Sequence, residues 1–288
     1  MSSAFLPLKG VRILSLALNL PGPAALMRCQ QMGARCVKIE PPSGDPMHGY
    51  CAPAYAALHR GVRVTQADLK TASGQKILHR ELAKANVLIT SFRPSALTKL
   101  GLGWKALHKQ YPQLSQVAIV GSPGELAEAP GHDLTYLAEF GLVNGLDLPA
   151  TLYADMGGSL MASEAVLQAV LHTRQTGQGV RMEVALASAA SYLALPRLWG
   201  LTTPGAAVGG GHAGYRVYPC KNGRVAMAAL EPHFAARLCA AAGLVDAAAQ
   251  AMVKPGTHQH IATWLLRKTR AQLDELARDK DIPLLTMA

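Results

Sequence analysis

Two short segments either side of residue 145 carry side chains able to move protons. Pro130-Gly131-His132-Asp133-Leu134-Thr135-Tyr136 offers an imidazole, and Ala154-Asp155-Met156-Gly157-Gly158 a carboxylate, each at a glycine-bearing turn expected to open a helix. Glycine at such a turn lets a substrate come close to the backbone. Asp133 reads as the N-cap of its helix, and the positive end of a helix favours the neutral imidazole, the form that acts as a base. An imidazole and a carboxylate on opposite sides of one carbon can exchange a proton there, and a carboxylate can also accept an acyl group. Taken singly, Asp133 and Asp155 fit simple helix caps and His132 a surface loop residue. In Leu230-Glu231-Pro232-His233-Phe234 a third candidate, Glu231, ends a strand, with Pro232 suited to the first position of the next helix. His59, His172, His258 and His260 carry no functional expectation.

The 288 residues are half apolar and 16% charged, a globular balance rather than a disordered one. Lys and Arg number 28 against 18 Asp and Glu, and the net charge of +10 favours an anionic partner. The basic residues are spread singly, among them Lys9, Arg12, Lys38, Arg60, Arg63, Lys70, Arg93 and Lys99. Without basic runs or interleaved aromatics, that pattern points to a phosphorylated small molecule and away from nucleic acid. The five cysteines (Cys29, Cys36, Cys51, Cys220, Cys239) show no close-paired metal-ligand spacing. They read as buried free thiols in a reducing compartment, and no metal is expected. The apolar stretch Ile13 to Leu20 is too short for a signal core and is interrupted by Asn19, so it reads as a strand. With no stretch of membrane-spanning length, the expected location is cytoplasmic.

Apolar strands alternate with helical patterns. Strands are expected at residues 11–18, 36–40, 86–90, 115–120 and 180–186. Helices are expected at 24–32 (closed by Gly33), 72–84, 94–111, 133–142, 158–174 and 188–201. This alternation predicts an α/β fold with a doubly wound, Rossmann-like parallel sheet. The run Gly205 to Gly211 reads as a flexible joint. Beyond it, an Asn-Gly hairpin at Lys221-Asn222-Gly223 and helices near 232–242 and 257–278 predict a smaller α+β domain. The expected domains are therefore 1–204 and 205–288.

Many short strings in order carry a resemblance to a known family. They include Pro7-Leu8-Lys9-Gly10-Val11-Arg12-Ile13-Leu14, Met32 to Pro42, Leu58-His59-Arg60-Gly61, Ala67-Asp68-Leu69-Lys70, Ser91-Phe92-Arg93-Pro94 with Leu100-Gly101-Leu102-Gly103, and Gly177-Gln178-Gly179. The chain resembles the family III CoA-transferases, and within them most the α-methylacyl-CoA racemase branch. The resemblance implies a catalytic His at His132, a catalytic Asp at Asp155 and an orienting Glu at Glu231.

The implied reaction is a 1,1-proton transfer at the α-carbon of a 2-methylacyl-CoA, with coenzyme A bound as part of the thioester substrate and no tightly bound cofactor. The implied phosphate contacts are Arg60, Arg63 and Arg93, with Lys38 and Lys70 beside them. The transferase branch uses the equivalent Asp as a nucleophile, so the alternative is CoA transfer between carboxylic acids through an Asp155 acyl anhydride. Gly209-Gly210-Gly211 resembles a mobile glycine loop of that branch. A third reading is a non-catalytic CoA-binding or partner subunit. Family dimers interlock like two links, which implies a homodimer. The chain stops at about the point where the family's C-terminal return to the sheet domain begins, so that return is expected to be lacking.

Overall fold

Strands of four to six residues build the sheet of the first unit, Met1–Ala194, in a computed structural model that describes residues 5–244 and 249–288. In chain order its elements begin with β1 (Arg12–Ser15), α1 (Pro21–Gln31), β2 (Arg35–Glu40), α2 (Pro46–Tyr50), α3 (Ala52–Leu58) and β3 (Arg63–Gln66). They continue with α4 (Ala72–Leu82), β4 (Val87–Thr90), α5 (Pro94–Lys99), α6 (Trp104–Gln110), β5 (Ser115–Val120), α7 (Asp133–Glu139), α8 (Tyr153–Thr176), β6 (Arg181–Ala185) and α9 (Leu186–Leu193). The six strands form one sheet in the order β3-β2-β1-β4-β5-β6, every pairing parallel. This is the expected doubly wound α/β architecture.

Helices cover both faces of this sheet, so its central strands are dry throughout: all residues of β4 and β5 are buried. Ile13, Ile89, Val117 and Ile119 pack in one core with residues of α1, α8 and α9. Their sequence neighbours Leu14 and Leu88 pack on the other face with Leu78, Leu82, Leu97 and Leu107 of α4, α5 and α6.

Several boundaries differ from the expected ones. Helix α1 starts at Pro21 rather than Ala24, because first-turn residues have no intrahelical N–H bond for proline to remove. Gly22 lets that turn press against the end of β1, since a Cβ there would meet Ala17 Cβ at 2.1 Å. The single helix expected over 94–111 is two, α5 and α6, parted at Gly101, whose φ of +73° ends α5 in a left-handed turn. The segment holding α2, α3 and β3 was not anticipated; its elements are too short to show a period. Cys51, expected buried, is exposed, while the other four thiols are buried and free.

The second unit, Leu195–Ala288, holds α10 (Leu195–Leu198), β7 (Tyr215–Cys220), β8 (Gly223–Ala228), α11 (Pro232–Ala241), α12 (Pro255–Leu266), α13 (Arg270–Lys280) and β9 (Leu284–Met287). The three strands pair antiparallel in the order β7-β8-β9. Helices α11, α12 and α13 contribute Leu238, Ile261, Leu265 and Leu273 to a core with Tyr218 and Val225. The helix expected over 257–278 is divided at Thr269. Its hydroxyl accepts from Gln272 N–H while Gln272 Oε1 accepts from Thr269 N–H, a capping box that starts α13 afresh. The run Gly205 to Gly211 folds into close-packed turns, where a Cβ at Gly209 would meet the Thr203 carbonyl oxygen at 1.9 Å. No helix among the described residues is long and apolar enough to cross a membrane.

Candidate active site

The order β3-β2-β1-β4-β5-β6 reverses direction between β1 and β4, and ligands of open parallel sheets sit beyond the strand carboxyl ends at such a point. A cavity of about 310 Å³ lies there. Leu18 and Asn19 follow β1, Ser91 and Arg93 follow β4, and Gly121 follows β5; His132, Tyr136 and Asp155 complete its wall. The fold thus brings the two residues singled out from sequence, 23 positions apart, into one cavity.

Their local setting differs from the expected one. His132, not Asp133, is the N-cap of α7. Its N–H donates to Thr135 Oγ1 at 3.1 Å and its carbonyl accepts from the same hydroxyl at 2.7 Å. The imidazole is exposed. Asp133 is instead the first residue of α7, with its side chain turned inward, buried and accepting from the backbone N–H of Asp155 at 2.9 Å. Asp155 is not ahead of its helix but in the first turn of α8, and Gly157 and Gly158 are helical. Those glycines let α8 lie against α9: a Cβ at Gly157 would meet Ala189 Cβ at 3.3 Å, and at Gly158 Leu186 Cδ2 at 2.3 Å.

Burial, and then the negative charge of Asp133, push the Asp155 carboxyl up to about 6, while the positive charge available to His132 acts in the opposite sense. A carboxyl so placed exchanges its proton near neutral pH, the range a general acid or base requires.

Sequence reasoning passed over Tyr136. It follows His132 by four residues, one helical turn, and so lines the same cavity. Its ring is buried beneath two glycines: a Cβ would meet Tyr136 Oη at 2.2 Å from Gly121 and 2.5 Å from Gly131. Burial, followed by the charge of Asp155, raises this phenol above its ordinary value. The i, i+4 spacing was the signal that could have found it. Asn19 was also missed, although a non-glycine residue at φ 64° is a mark of a constrained turn.

Of the five basic residues expected to hold phosphates, Arg93 alone lines this cavity. It is exposed at the N-cap of α5 and has no carboxylate within ion-pair distance among the described residues. Arg60 and Lys70 are exposed elsewhere. Arg63 stands at the start of β3, its Nη2 2.8 Å from Glu81 Oε2.

Lys38 corrects the expectation outright, since its side chain is wholly buried and cannot reach a phosphate in solvent. Its ammonium bonds to Asp45 Oδ2 and lies 3.1 Å from Glu40 Oε1 and 2.9 Å from His59 Nε2. Glu40, Asp45 and His59 form the sort of cluster that can hold a metal ion, which no sequence spacing had shown. Here a lysine ammonium sits among them as the cation. Through Asp45 Oδ1, which accepts from the N–H of Asn19 at 3.0 Å and of Met47 at 2.9 Å, this buried network pins the turn that forms the cavity wall. Glu231 stands in the second unit, exposed at the N-cap of α11.

The family model described as CoA-transferase family III matches residues 8–287. The chain belongs to this family. Mouse alpha-methylacyl-CoA racemase is 28% identical over 304 residues, covering 97% of this chain and 78% of the racemase. The cinnamoyl-CoA:phenyllactate CoA-transferase of Clostridium sporogenes is 31% identical over 205 residues, covering 64% of this chain and 50% of the transferase. The chain thus spans about half the length of that relative and of other transferases it matches. The crystal structure of a hypothetical protein from Mycobacterium tuberculosis superposes with a TM-score of 0.84 at 23% identity, covering 97% of this chain and 83% of the other. The family III fold therefore extends across nearly the whole chain.

Proposed function

We propose that this family member catalyses 1,1-proton transfer at the α-carbon of a 2-methylacyl-CoA thioester, with His132 and Asp155 as the two proton-exchanging groups. The observation that carries this reading is their joint placement around one cavity of about 310 Å³, with the Asp155 carboxyl at about 6. The extent of the racemase match, 97% of the chain, supports it.

The α-proton of a thioester is far less acidic than an imidazolium, so a base alone does not suffice. The developing enolate oxygen needs a donor in place beforehand, and the Tyr136 phenol, fixed beneath Gly121 and Gly131, is suited to that task. One of His132 and Asp155 removes the proton and the other returns one to the opposite face, inverting the centre. Arg93 supplies a charge-assisted contact to a CoA phosphate. The family resemblance implies a role for Glu231 as well, and Glu231→Gln tests it through the pH profile of kcat.

The test is α-hydrogen exchange from 2-methylacyl-CoA in deuterated water, followed by mass spectrometry. Wild type is expected to exchange, and His132→Ala or Asp155→Asn to be slower by about 10² to 10⁴-fold, the usual worth of a general acid or base. No exchange over several acyl chains sinks the reading.

A second reading is CoA transfer with Asp155 as nucleophile, favoured by transferase relatives of 30–32% identity. It predicts that hydroxylamine inactivates the protein once acyl-CoA is present, by trapping the acyl anhydride, and that Asp155→Asn resists inactivation.

A further inference from the structure

At the opposite, amino ends of the same strands lies a larger cleft of about 500 Å³, and its wall is basic. Its chemistry follows from strand register. Leu14 and Val37 pack on the sheet face covered by α4, α5 and α6. Arg12 and Arg35 lie two residues before them, so they project to that same face. Arg12 and Arg35 are partners in the β1–β2 ladder, and Arg63 is the partner of Val37 in the β2–β3 ladder. Three adjacent parallel strands therefore each begin with an arginine on one face, and Lys84, just past α4, joins them in lining the cleft.

The only carboxylate in the lining, Glu81, is already committed: Arg63 Nη2 lies 2.8 Å from one oxygen and Arg80 Nε 3.6 Å from the other. Arg12, Arg35 and Lys84 have no carboxylate within 4.0 Å among the described residues. Like charges side by side on neighbouring strands oppose folding, so the row carries an unmet demand for negative charge. Arg12 N–H donates to Asn86 Oδ1 and Arg35 N–H to the Val11 carbonyl, which leaves the side chains as the donors facing the cleft. Guanidinium forks match phosphate oxygens in pairs, and the volume lies within the range of small-molecule pockets, about 300 to 1,000 Å³.

We propose that this cleft is a second ligand site, taking a small molecule that carries a diphosphate or two phosphates, held by Arg12, Arg35 and Lys84 with Arg63 fixed beside them by Glu81. It shares no lining residue with the His132–Asp155 cavity.

Inorganic pyrophosphate is the probe, titrated into the full chain by calorimetry. Saturable binding is expected, weakened at least about tenfold in Arg12→Gln/Arg35→Gln, since each lost guanidinium removes a charge-assisted pair, and unchanged in His132→Ala. Lys84→Gln, an exposed change beyond the end of α4, is expected to weaken binding as well and stands in should the double variant fold poorly. Added nucleoside diphosphate is expected to displace pyrophosphate. Absence of saturable binding, equal binding by the variants, or loss of pyrophosphate on adding coenzyme A in wild type but not in Arg93→Gln overturns the proposal; that last result would make the anion site part of the thioester cavity.

Discussion

The carboxylate of Asp133 accepts a hydrogen bond from the backbone N–H of Asp155 at 2.9 Å. One buried side chain thereby sets the first turn of α8 against the first turn of α7, and its charge also helps raise the carboxyl of Asp155. Geometry and acidity at the cavity are coupled through this single contact.

Asp133→Asn keeps an oxygen acceptor for Asp155 N–H but removes the neighbouring negative charge. In wild type, activity needing the Asp155 carboxylate should fall as pH drops through about 6. In the variant that limb should move to lower pH, because the charge that opposed ionisation is gone. A pH profile of kcat/KM for α-hydrogen exchange reads this directly, and a limb that stays put or rises contradicts it.

Gly121 makes room for the Tyr136 hydroxyl. Gly121→Ala would place a methyl group 2.2 Å from Oη, yet 3.2 Å from the ring carbon that bears it. The expected cost is about 1 to 3 kcal/mol of stability, as for other overpacked cores. Adding Tyr136→Phe removes the clashing atom, so the double variant should regain most of the lost stability while remaining slow in exchange. Denaturant melts of the single and double variants form the cycle that measures it.

Lys38→Met strands Glu40 and Asp45 without their cation. Removing one partner of a buried charge pair typically costs about 3 to 5 kcal/mol, and Asn19 loses the anchor that keeps it in place. Chemical denaturation should show the loss, with weaker exchange activity in any folded fraction.

His59 belongs to the same network and adds a pH dependence. Burial first, and the nearby Lys38 ammonium, hold its imidazole below the ordinary 6.5, against an opposing hydrogen bond to the Tyr55 carbonyl. The unfolded chain therefore takes up a proton before the folded one does. The stability from this group is fully present above about pH 6.5 and declines as pH falls through that value toward the lower folded one. The pH dependence of Tm between 7 and 5 should flatten in His59→Gln.

Arg93→Gln should raise KM for acyl-CoA about tenfold, the loss of one charge-assisted phosphate contact, and leave KM for an acyl-pantetheine thioester unchanged. Steady-state kinetics on both thioesters separates the two.

Most of the sheet was readable along the chain, because a strand buried on both faces carries little charge: β5 is found at its expected boundaries, Ser115–Val120, whereas β3, Arg63–Gln66, with a single apolar residue, was not seen. His132 and Asp155 were each singled out from a short glycine-bearing string, and the fold places both on one cavity. Their surroundings were not readable. Whether Asp133 caps α7 or reaches to α8 depends on the angle between two helices, and adjacent residues alone do not encode it. Lys38 looks in sequence like any other lysine on a strand, for its carboxylate partners come from residues 40 and 45 and its imidazole from 59. The arginines at 12, 35 and 63 become a row only once ladder register aligns them.

The complete burial of Lys38 also makes it a built-in timer. An amine-modifying reagent can touch that nitrogen only while β2 and the turn around Asp45 are separated, so the pace at which this one lysine is labelled, among a crowd of surface lysines labelled at once, counts how often the wall beside the cavity breathes open.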